Sequence, residues 1–168
     1  IIRIDLDRFK SVNDVLGHAA GDHVLRVTAD LLKSGLAEDH VAARIGGDEF
    51  VVLCPAGTDE AHGLRVAERL RAAIERPVDF EGKICQFGAS FGVAASAADH
   101  GGPGDILRDA DIALYEAKAD GRGCIRVFDA RMKGQARTTR ILADALPDAI
   151  ADGAIEPYFQ TQHDAASK

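Results

Sequence analysis

The stretch VAARIGGDEFVVL, residues 41–53, decides the fold. Val41 to Ile45 and Phe50 to Leu53 have the apolar composition of short strands, and the two glycines between them predict a hairpin. Adjacent glycines permit the positive φ angles of a tight turn, and they leave no side chain to obstruct a ligand lying across it. An ordinary Gly-Gly hairpin with acidic decoration explains the same letters, so the turn alone assigns no function.

A second acidic pair lies upstream, in IIRIDLDRFK at the start of the chain. Ile1 to Leu6 predicts a buried strand. Alternate residues of a strand point to the same side, so Asp5 and Asp7 are expected together at its C-terminal end. Two such charges repel each other, and a divalent cation between them relieves the repulsion. A solvated strand end with incidental charge is the alternative. With the hairpin's acidic pair, the chain would offer the three or four carboxylates that magnesium and a triphosphate require.

The remaining apolar periodicity completes an α+β pattern. The predicted order is strand, helix, hairpin, helix, strand, helix, strand. After the first strand, and apart from the hairpin, the predicted elements are helices over 20–33, around Val66–Ile74 and over Pro103–Lys118, and strands over Ile84–Ala95 and Ile125–Phe128. Helices packed against a mostly antiparallel sheet would bury all of these apolar stripes.

Two polar segments have both a chemical and a structural interpretation. Residues 13–22 read NDVLGHAAGD, and an amide close to a carboxylate can read the edge of a guanine base. Asp22 is equally a helix N-cap, and His18 is equally a turn histidine. Residues 118–122 read KADGR at the end of the third predicted helix. Cations there complement the helix dipole, and they would also be placed to hold phosphates.

Composition excludes several classes of protein. The 168 residues give room for one ordinary domain, and the net charge of −7 argues against a nucleic-acid-binding surface. No apolar run approaches the roughly 20 residues that cross a bilayer. The three cysteines form no CxxC or Cys/His cluster along the sequence, which predicts reduced thiols in a cytoplasmic protein and no zinc. An opening strand without a methionine predicts a fragment that lacks its N-terminal elements.

Taken together, these segments resemble the GGDEF family of diguanylate cyclase domains over residues 1–129. The signature RIGGDEF is intact, and DLDRFKSVND, GHAAGD, SFGVA and ADIALYEAK match in order and spacing. The resemblance implies a fold similar to the polymerase palm and the adenylate cyclase catalytic domain, with a central, mostly antiparallel sheet flanked by helices. It also implies the reaction 2 GTP → cyclic di-GMP + 2 pyrophosphate with Mg²⁺ or Mn²⁺. Each domain would hold one GTP, so a homodimer is required.

The resemblance also implies a role for individual residues. Asp5, the Leu6 carbonyl and Asp48 resemble the family's metal ligands. Asp48 and Glu49 are the candidates for assisting deprotonation of the attacking 3′-hydroxyl, and Lys10 for stabilising charge on the transferring phosphoryl group. The expected substrate-binding residues are Lys118, Arg122 and the backbone near Phe9 at the outer phosphates, Asn13 and Asp22 at guanine, and His18 nearby.

The chain changes character after residue 129. Residues 130–140 predict a polar linker helix. Residues 141–168 resemble the beginning of an EAL phosphodiesterase domain, with a helix kinked at Pro147 and a strand over 155–160. There YFQTQ stands where the EAL family often has Tyr-Gln-Pro. A C-terminal EAL domain is therefore an expected partner in the full protein.

Two departures and one alternative accompany the resemblance. Many such cyclases carry an RxxD product-inhibition site before the glycines, and here that stretch is AEDH, beginning at Ala37. The Asp-x-Leu-Thr turn that usually precedes the first strand is also missing from this chain. The alternative function is a catalytically silent GTP-binding module that regulates an EAL phosphodiesterase. The expected location is the cytoplasm, with a membrane anchor in the missing N-terminal regions left open.

Overall fold

The computed structural model describes residues 1–96, 102–134, 149–150 and 152–153. The chain divides into two compact units, Ile1–Lys133 and Gly134–Lys168. The elements of the first unit are, in chain order, β1 (Ile2–Asp7), α1 (Phe9–Leu16), α2 (His18–Gly35), β2 (Val41–Gly46), β3 (Glu49–Leu53), α3 (Glu60–Ile74), β4 (Val78–Phe80), β5 (Lys83–Cys85), β6 (Gly88–Val93), α4 (Pro103–Ala119) and β7 (Ile125–Val127). None of the helices in the described ranges is long and apolar enough to cross a membrane.

Within the described residues, five strands form the main sheet in the order β2-β3-β1-β6-β7. β1 is the central strand and pairs antiparallel with both β3 and β6. β2 pairs antiparallel with β3, and only the β6–β7 pair of this sheet is parallel. The predicted α+β fold, with a mostly antiparallel sheet flanked by helices, is confirmed. The predicted strand β1 and the predicted β2–β3 hairpin are confirmed as well.

The two faces of β1 have different partners because alternate residues of a strand point in opposite directions. Ile2, Ile4 and Leu6 are buried in the main apolar core. That core also contains residues of α2 and α3, including Val24, Leu32, Val66, Leu70 and Ile74. On the opposite face, Arg3 and Asp5 both form ion pairs with side chains of α4. The polar face of β1 therefore lies under α4, and this is the face on which the candidate site is built.

A glycine in β6 allows α4 to lie directly on the sheet. A Cβ atom at Gly92 would lie 2.2 Å from the carbonyl oxygen of Ala110 and 2.3 Å from the backbone nitrogen of Leu114. Both atoms belong to the backbone of α4, which cannot yield by rotating a side chain. The buried alanines of α4, Ala110, Ala113 and Ala117, accompany this close approach. Close packing of α4 on β6 in turn fixes the height of Lys118 above the sheet.

The structure corrects two features of the sequence interpretation. Residues Phe9–Leu16 form helix α1, which the interpretation of the sequence missed although Phe9, Val12 and Leu16 pack on the core at helical spacing. The predicted strand Ile84–Ala95 is wrong as a single element: it divides into β5, which pairs with β4 in a separate two-stranded sheet, and β6 of the main sheet. Pro147 and the predicted strand 155–160 lie outside the described residues, and the proposed domain boundaries stay predictions.

Candidate active site

Strand pairing brings two acidic segments of the sequence together. Asp5 in β1 is the cross-strand partner of Glu49 in β3. One residue further along, the backbone N–H of Leu6 donates to the carbonyl oxygen of Asp48 at 3.2 Å. The sheet therefore places Asp5, Leu6, Asp48 and Glu49 side by side at one end of the β1–β3 pair, although more than 40 residues separate the two segments.

Lys118 of α4 completes this acidic group. Its Nζ lies 2.6 Å from Oδ2 of Asp5, and the side chains of Asp5 and Lys118 are 11% and 33% exposed. Burial raises the pKa of Asp5 above its ordinary value, Lys118 offsets part of that rise, and the charges of Asp48 and Glu49 add to it. Because the net pKa shift is upward, the single lysine leaves this carboxylate short of positive charge.

Arg3 lies beside the same group of carboxylates, and the sequence analysis did not predict it as a site residue. Its Nη2 donates to Oε2 of Glu49 at 3.1 Å, and its Nε lies 2.7 Å from Oδ1 of Asp111 on α4. Burial raises the pKa of Asp111, Arg3 lowers it, and Glu49 raises it further. A cation between two buried isoleucines of an apolar strand was the available signal, since such a residue needs a carboxylate partner.

Asp7 has a different environment from Asp5. Its Oδ1 accepts a hydrogen bond from Ser90 Oγ at 2.7 Å, and its Oδ2 accepts one from the backbone N–H of Gly123 at 2.9 Å. These bonds tie β1 to β6 and to the loop that follows α4. The expectation that Asp5 and Asp7 share a cation finds no support in these contacts. Asp7 instead fixes the framework of the site, and the role of Ser90 could not be read from its place in SFGVA.

The two glycines of the hairpin turn do not adopt the positive φ angles that the sequence predicted. Neither Gly46 nor Gly47 is among the residues with positive φ, so the turn conformation does not demand glycine. A Cβ at either position would meet no atom within 4 Å. Arg44 Nε donates to the carbonyl oxygen of Gly47 at 2.8 Å, and the β2–β3 register shifts between Arg44 and Gly46. The two glycines therefore leave open space above the turn, next to the carboxylates, in agreement with the second part of the expectation.

The connection from β1 to α1 turns sharply at Arg8. This residue adopts the left-handed conformation, with φ of 57°, and the Ser11 N–H donates to its carbonyl oxygen at 2.8 Å. A non-glycine residue in this conformation is strained by about 1–2 kcal/mol, and such strain concentrates at functional sites. The turn directs the N-terminus of α1, with Phe9 and the exposed Lys10, to the end of β1 that carries the carboxylates.

The segment predicted to read guanine forms the junction of α1 and α2. A Cβ at Gly21 would lie 1.9 Å from Oδ1 of Asn13, so the Asn13 side chain lies directly against the backbone of α2 at this glycine. Asp22 lies inside α2, which begins at His18, and the alternative that Asp22 is the N-cap is therefore wrong. Asp22 is exposed and lines a cavity of about 980 Å³ between α2 and β2. His18 is also exposed.

Arg122 follows α4 and is exposed. Its φ is 67°, and its backbone N–H donates to the carbonyl oxygen of Ala117 at 3.1 Å, so it belongs to the turn that ends the helix. The structure thus brings Asp5, Leu6, Asp48, Glu49 and Lys118 into one group. The side chains of Lys10, Arg122, Asn13, His18 and Asp22 occupy exposed or half-buried positions, and their roles stay predictions.

The chain belongs to the GGDEF family: the family model described as "Diguanylate cyclase, GGDEF domain" matches residues 1–124. The structure is similar to that of the GGDEF domain of TpbB (YfiN) from Pseudomonas aeruginosa, with a TM-score of 0.77 and 36% identity, covering 81% of this chain and 80% of that one. The palm-like α+β fold is therefore shown.

Two similar curated proteins have names that state different activities. The chain is 39% identical over 129 residues to the probable diguanylate cyclase DgcE of Escherichia coli. This alignment covers 77% of this chain and 12% of DgcE. It is 33% identical over 161 residues to the cyclic di-GMP phosphodiesterase NbdA of Pseudomonas aeruginosa. This alignment covers 95% of this chain and 20% of NbdA. The chain spans about a fifth of the length of the curated relatives that match most of it.

Proposed function

We propose that this chain is a diguanylate cyclase domain that converts two GTP into cyclic di-GMP and two pyrophosphates. The convergence of Asp5, Asp48 and Glu49 from β1 and the hairpin, with Lys118 above them, is the observation that carries the proposal. Transfer of a nucleotidyl group requires positioning and charge neutralisation more than covalent chemistry. A carboxylate group beside an open glycine turn would position the nucleotide by holding a divalent cation, and that cation would neutralise the phosphate charge.

The donor set fits a small, hard divalent cation. Carboxylate and carbonyl oxygens are the ligands that Mg²⁺ and Mn²⁺ prefer. Burial, together with the charges of Asp48 and Glu49, raises the pKa of Asp5 despite Lys118, and a divalent cation would offset the repulsion among these carboxylates. Asp5, the Leu6 carbonyl and Asp48 are the proposed ligands. When bound, the ion would neutralise charge on the triphosphate and polarise its phosphorus–oxygen bonds.

The chain's own residues would then position GTP and move its proton. Asn13 and Asp22 would bind the guanine edge, with His18 beside them. The N-terminus of α1 near Phe9 offers backbone N–H groups to phosphate oxygens, as helix N-termini commonly do. Lys118 and Arg122 would hold the outer phosphates, and Lys10 would stabilise the transferring group.

Asp48 and Glu49 would accept the proton of the attacking 3′-hydroxyl. Arg3 fixes the orientation of Glu49 through the 3.1 Å bond. The oxygen of that hydroxyl forms a bond to the α-phosphorus of a second GTP, and the bond from that phosphorus to pyrophosphate breaks. Two rounds of this transfer close the cyclic dinucleotide.

Two copies of the domain are needed, because the hydroxyl and the phosphorus that react belong to different GTP molecules. A homodimer with the two sites facing each other is therefore part of the proposal. A location in the cytoplasm follows, since that compartment supplies GTP. A C-terminal EAL domain, for which residues 141–168 would be the beginning, completes the proposed protein.

The test is incubation of the purified protein with GTP and Mg²⁺ or Mn²⁺, followed by chromatography for cyclic di-GMP. Asp48→Asn should reduce the rate at least about 100-fold, because it removes a charge from the metal site. The matched control is Glu68→Gln, an exposed acidic residue of α3 remote in sequence from the site. Equal rates in the two variants would refute the site assignment.

A second function is favoured by one comparison. A relative named as a phosphodiesterase matches this chain over 95% of its length, including residues beyond the GGDEF domain. In such a protein the domain would bind GTP without turnover and regulate the attached phosphodiesterase. GTP binding by calorimetry without any cyclic di-GMP would support this regulatory function over the cyclase. Absence of GTP binding would contradict both.

A further inference from the structure

Three metal-ligating side chains meet at the end of the β2–β3 hairpin opposite its glycine turn. They are His40, Cys54 and His62, and their ligand atoms all lie within 4.8 Å of one another. All three residues are half-buried. Among the residues that the structure describes, this group is separate from the carboxylates, and neither the GGDEF signature nor the proposed cyclase uses it.

The fold explains why residues so distant in sequence meet. Val41 pairs with Leu53, so His40 and Cys54, each one residue further out, leave the hairpin side by side. His62 belongs to the first turn of α3. Its backbone N–H donates at 2.8 Å to Oδ1 of Asp59, the N-cap of that helix. The cap fixes the turn from which the imidazole of His62 reaches His40.

The ring nitrogens are arranged as in a metal site. Nε2 of His40 lies 3.1 Å from Nε2 of His62, and the two rings are stacked with centroids 5.3 Å apart. Nδ1 of His40 lies 2.9 Å from Oδ1 of Asp39. A carboxylate there favours the proton on Nδ1 and directs the Nε2 lone pair toward Nε2 of His62, with which it shares a hydrogen bond that a metal ion would replace. Carboxylate–histidine–metal chains use the same device to orient a ligand.

We propose that His40, Cys54 and His62 bind a zinc-class transition metal ion. Two imidazole nitrogens and a thiolate are ligands that Zn²⁺ prefers, with bonds of about 2.0–2.1 Å to nitrogen and 2.3 Å to sulfur. Nitrogens at these bond lengths in a tetrahedron are about 3.3 Å apart, close to the 3.1 Å in the structure. The fourth position is open to water. The bound ion links both ends of the hairpin to α3.

The sequence gives no sign of this site because the three residues are not clustered along the chain. The intervals of 14 and 8 residues correspond to no familiar zinc motif. The pairing of β2 with β3 and the cap of α3 create the cluster, and both are features of the folded chain.

The experiment is titration of the metal-free chain with Co²⁺, followed by Zn²⁺ in competition with a chromophoric chelator. A thiolate-to-cobalt charge-transfer band with tetrahedral visible bands, and one ion per chain, is the expected result. Cys54→Ser and His62→Gln should each weaken Zn²⁺ binding at least about 100-fold. Asp39→Asn should weaken it about 10-fold. Cys124→Ser and His23→Gln are the matched controls and should bind as the unchanged chain does.

A second measurement is independent of whether the variants fold. Zn²⁺ should protect Cys54 of the unchanged chain from alkylation by iodoacetamide, measured by peptide mass, and should not change the alkylation of Cys124. Absence of the charge-transfer band, Zn²⁺ affinity within about threefold of the unchanged chain in both ligand variants, or equal alkylation of Cys54 with and without Zn²⁺ would each overturn the proposal.

Discussion

Gly92→Ala tests whether the contact of α4 with β6 sets the geometry of the site. The added methyl would lie 2.2 Å from the carbonyl oxygen of Ala110, whereas ordinary contact begins at 3.4 Å. The helix must therefore retreat by about 1 Å. Overpacking of this kind costs about 1–3 kcal/mol, and the alanine returns about 0.4–1 kcal/mol by restricting the unfolded chain. We expect a net loss of about 1–2 kcal/mol in the free energy of unfolding.

The same displacement of α4 carries Lys118 away from Asp5. In the structure Nζ of Lys118 lies 2.6 Å from Oδ2 of Asp5. A misplacement of about 1 Å can reduce a rate about 100-fold, so cyclic di-GMP formation should fall far more than the stability loss explains. The assays are urea unfolding and product chromatography at a temperature where the variant stays folded.

The matched control for Gly92→Ala is Gly104→Ala. Gly104 lies on α4, the helix against which Gly92 packs, and its new methyl would meet no atom within 4 Å. Its stability should be unchanged or raised by up to about 1 kcal/mol. A Gly92→Ala protein as stable as the unchanged chain would refute the reasoning about α4. Loss of stability with full activity would refute the link to Lys118.

Three further substitutions have defined outcomes. Asp5→Asn should stabilise the metal-free protein at neutral pH. The pKa of Asp5 is raised in the folded state. The contribution of Asp5 to the free energy of unfolding is therefore greatest below its pKa in the unfolded chain and is lost as the pH rises through its pKa in the folded chain. Urea unfolding across pH 3 to 7 should show that decline in the unchanged chain and a smaller one in the variant; identical profiles would contradict it. Ser90→Ala removes a hydrogen bond to the buried Asp7 and should cost about 1–3 kcal/mol in urea unfolding, whereas Ser34→Ala, at an exposed hydroxyl, should change stability by less than about 0.5 kcal/mol. Asp59→Ala removes the N-cap of α3 and should cost about 1 kcal/mol by thermal or urea unfolding; an unchanged midpoint would argue against the cap.

Local patterns predicted the parts of the fold that they determine. The apolar runs around RIGGDEF identified the β2–β3 hairpin, and the breaker residues before Pro103 identified the start of α4. Helix α1 was missed although Phe9, Val12 and Leu16 are spaced to share one helix face that packs on the core. The helix has only eight residues, fewer than the window of about 11–18 residues over which a helical period is judged. The run Ile84–Ala95 looks continuous, but its first part pairs with β4, a partner that the sequence does not reveal.

The candidate site was predictable in its composition and less so in its geometry. The acidic residues of β1 and the hairpin were identified from their letters, and strand pairing brings Asp5 and Glu49 together. The different fates of Asp5 and Asp7 depend on Lys118 and Ser90, which approach from α4 and β6. Arg3 bridges to α4 in the same way. Such tertiary contacts have no signature in a single sequence.

The central position of β1 has a consequence for how the chain folds. Ile2 pairs with Val93, 91 residues later, and non-local pairing of this kind slows folding. At about 5–20 residues per second, a ribosome needs roughly 5 to 18 s to deliver that partner. During this interval β1 exposes an unpaired edge, which invites aggregation. Asp5 and Asp7 interrupt its apolar run with charge, as gatekeeper residues do, so these carboxylates would protect the nascent chain before they serve the folded one.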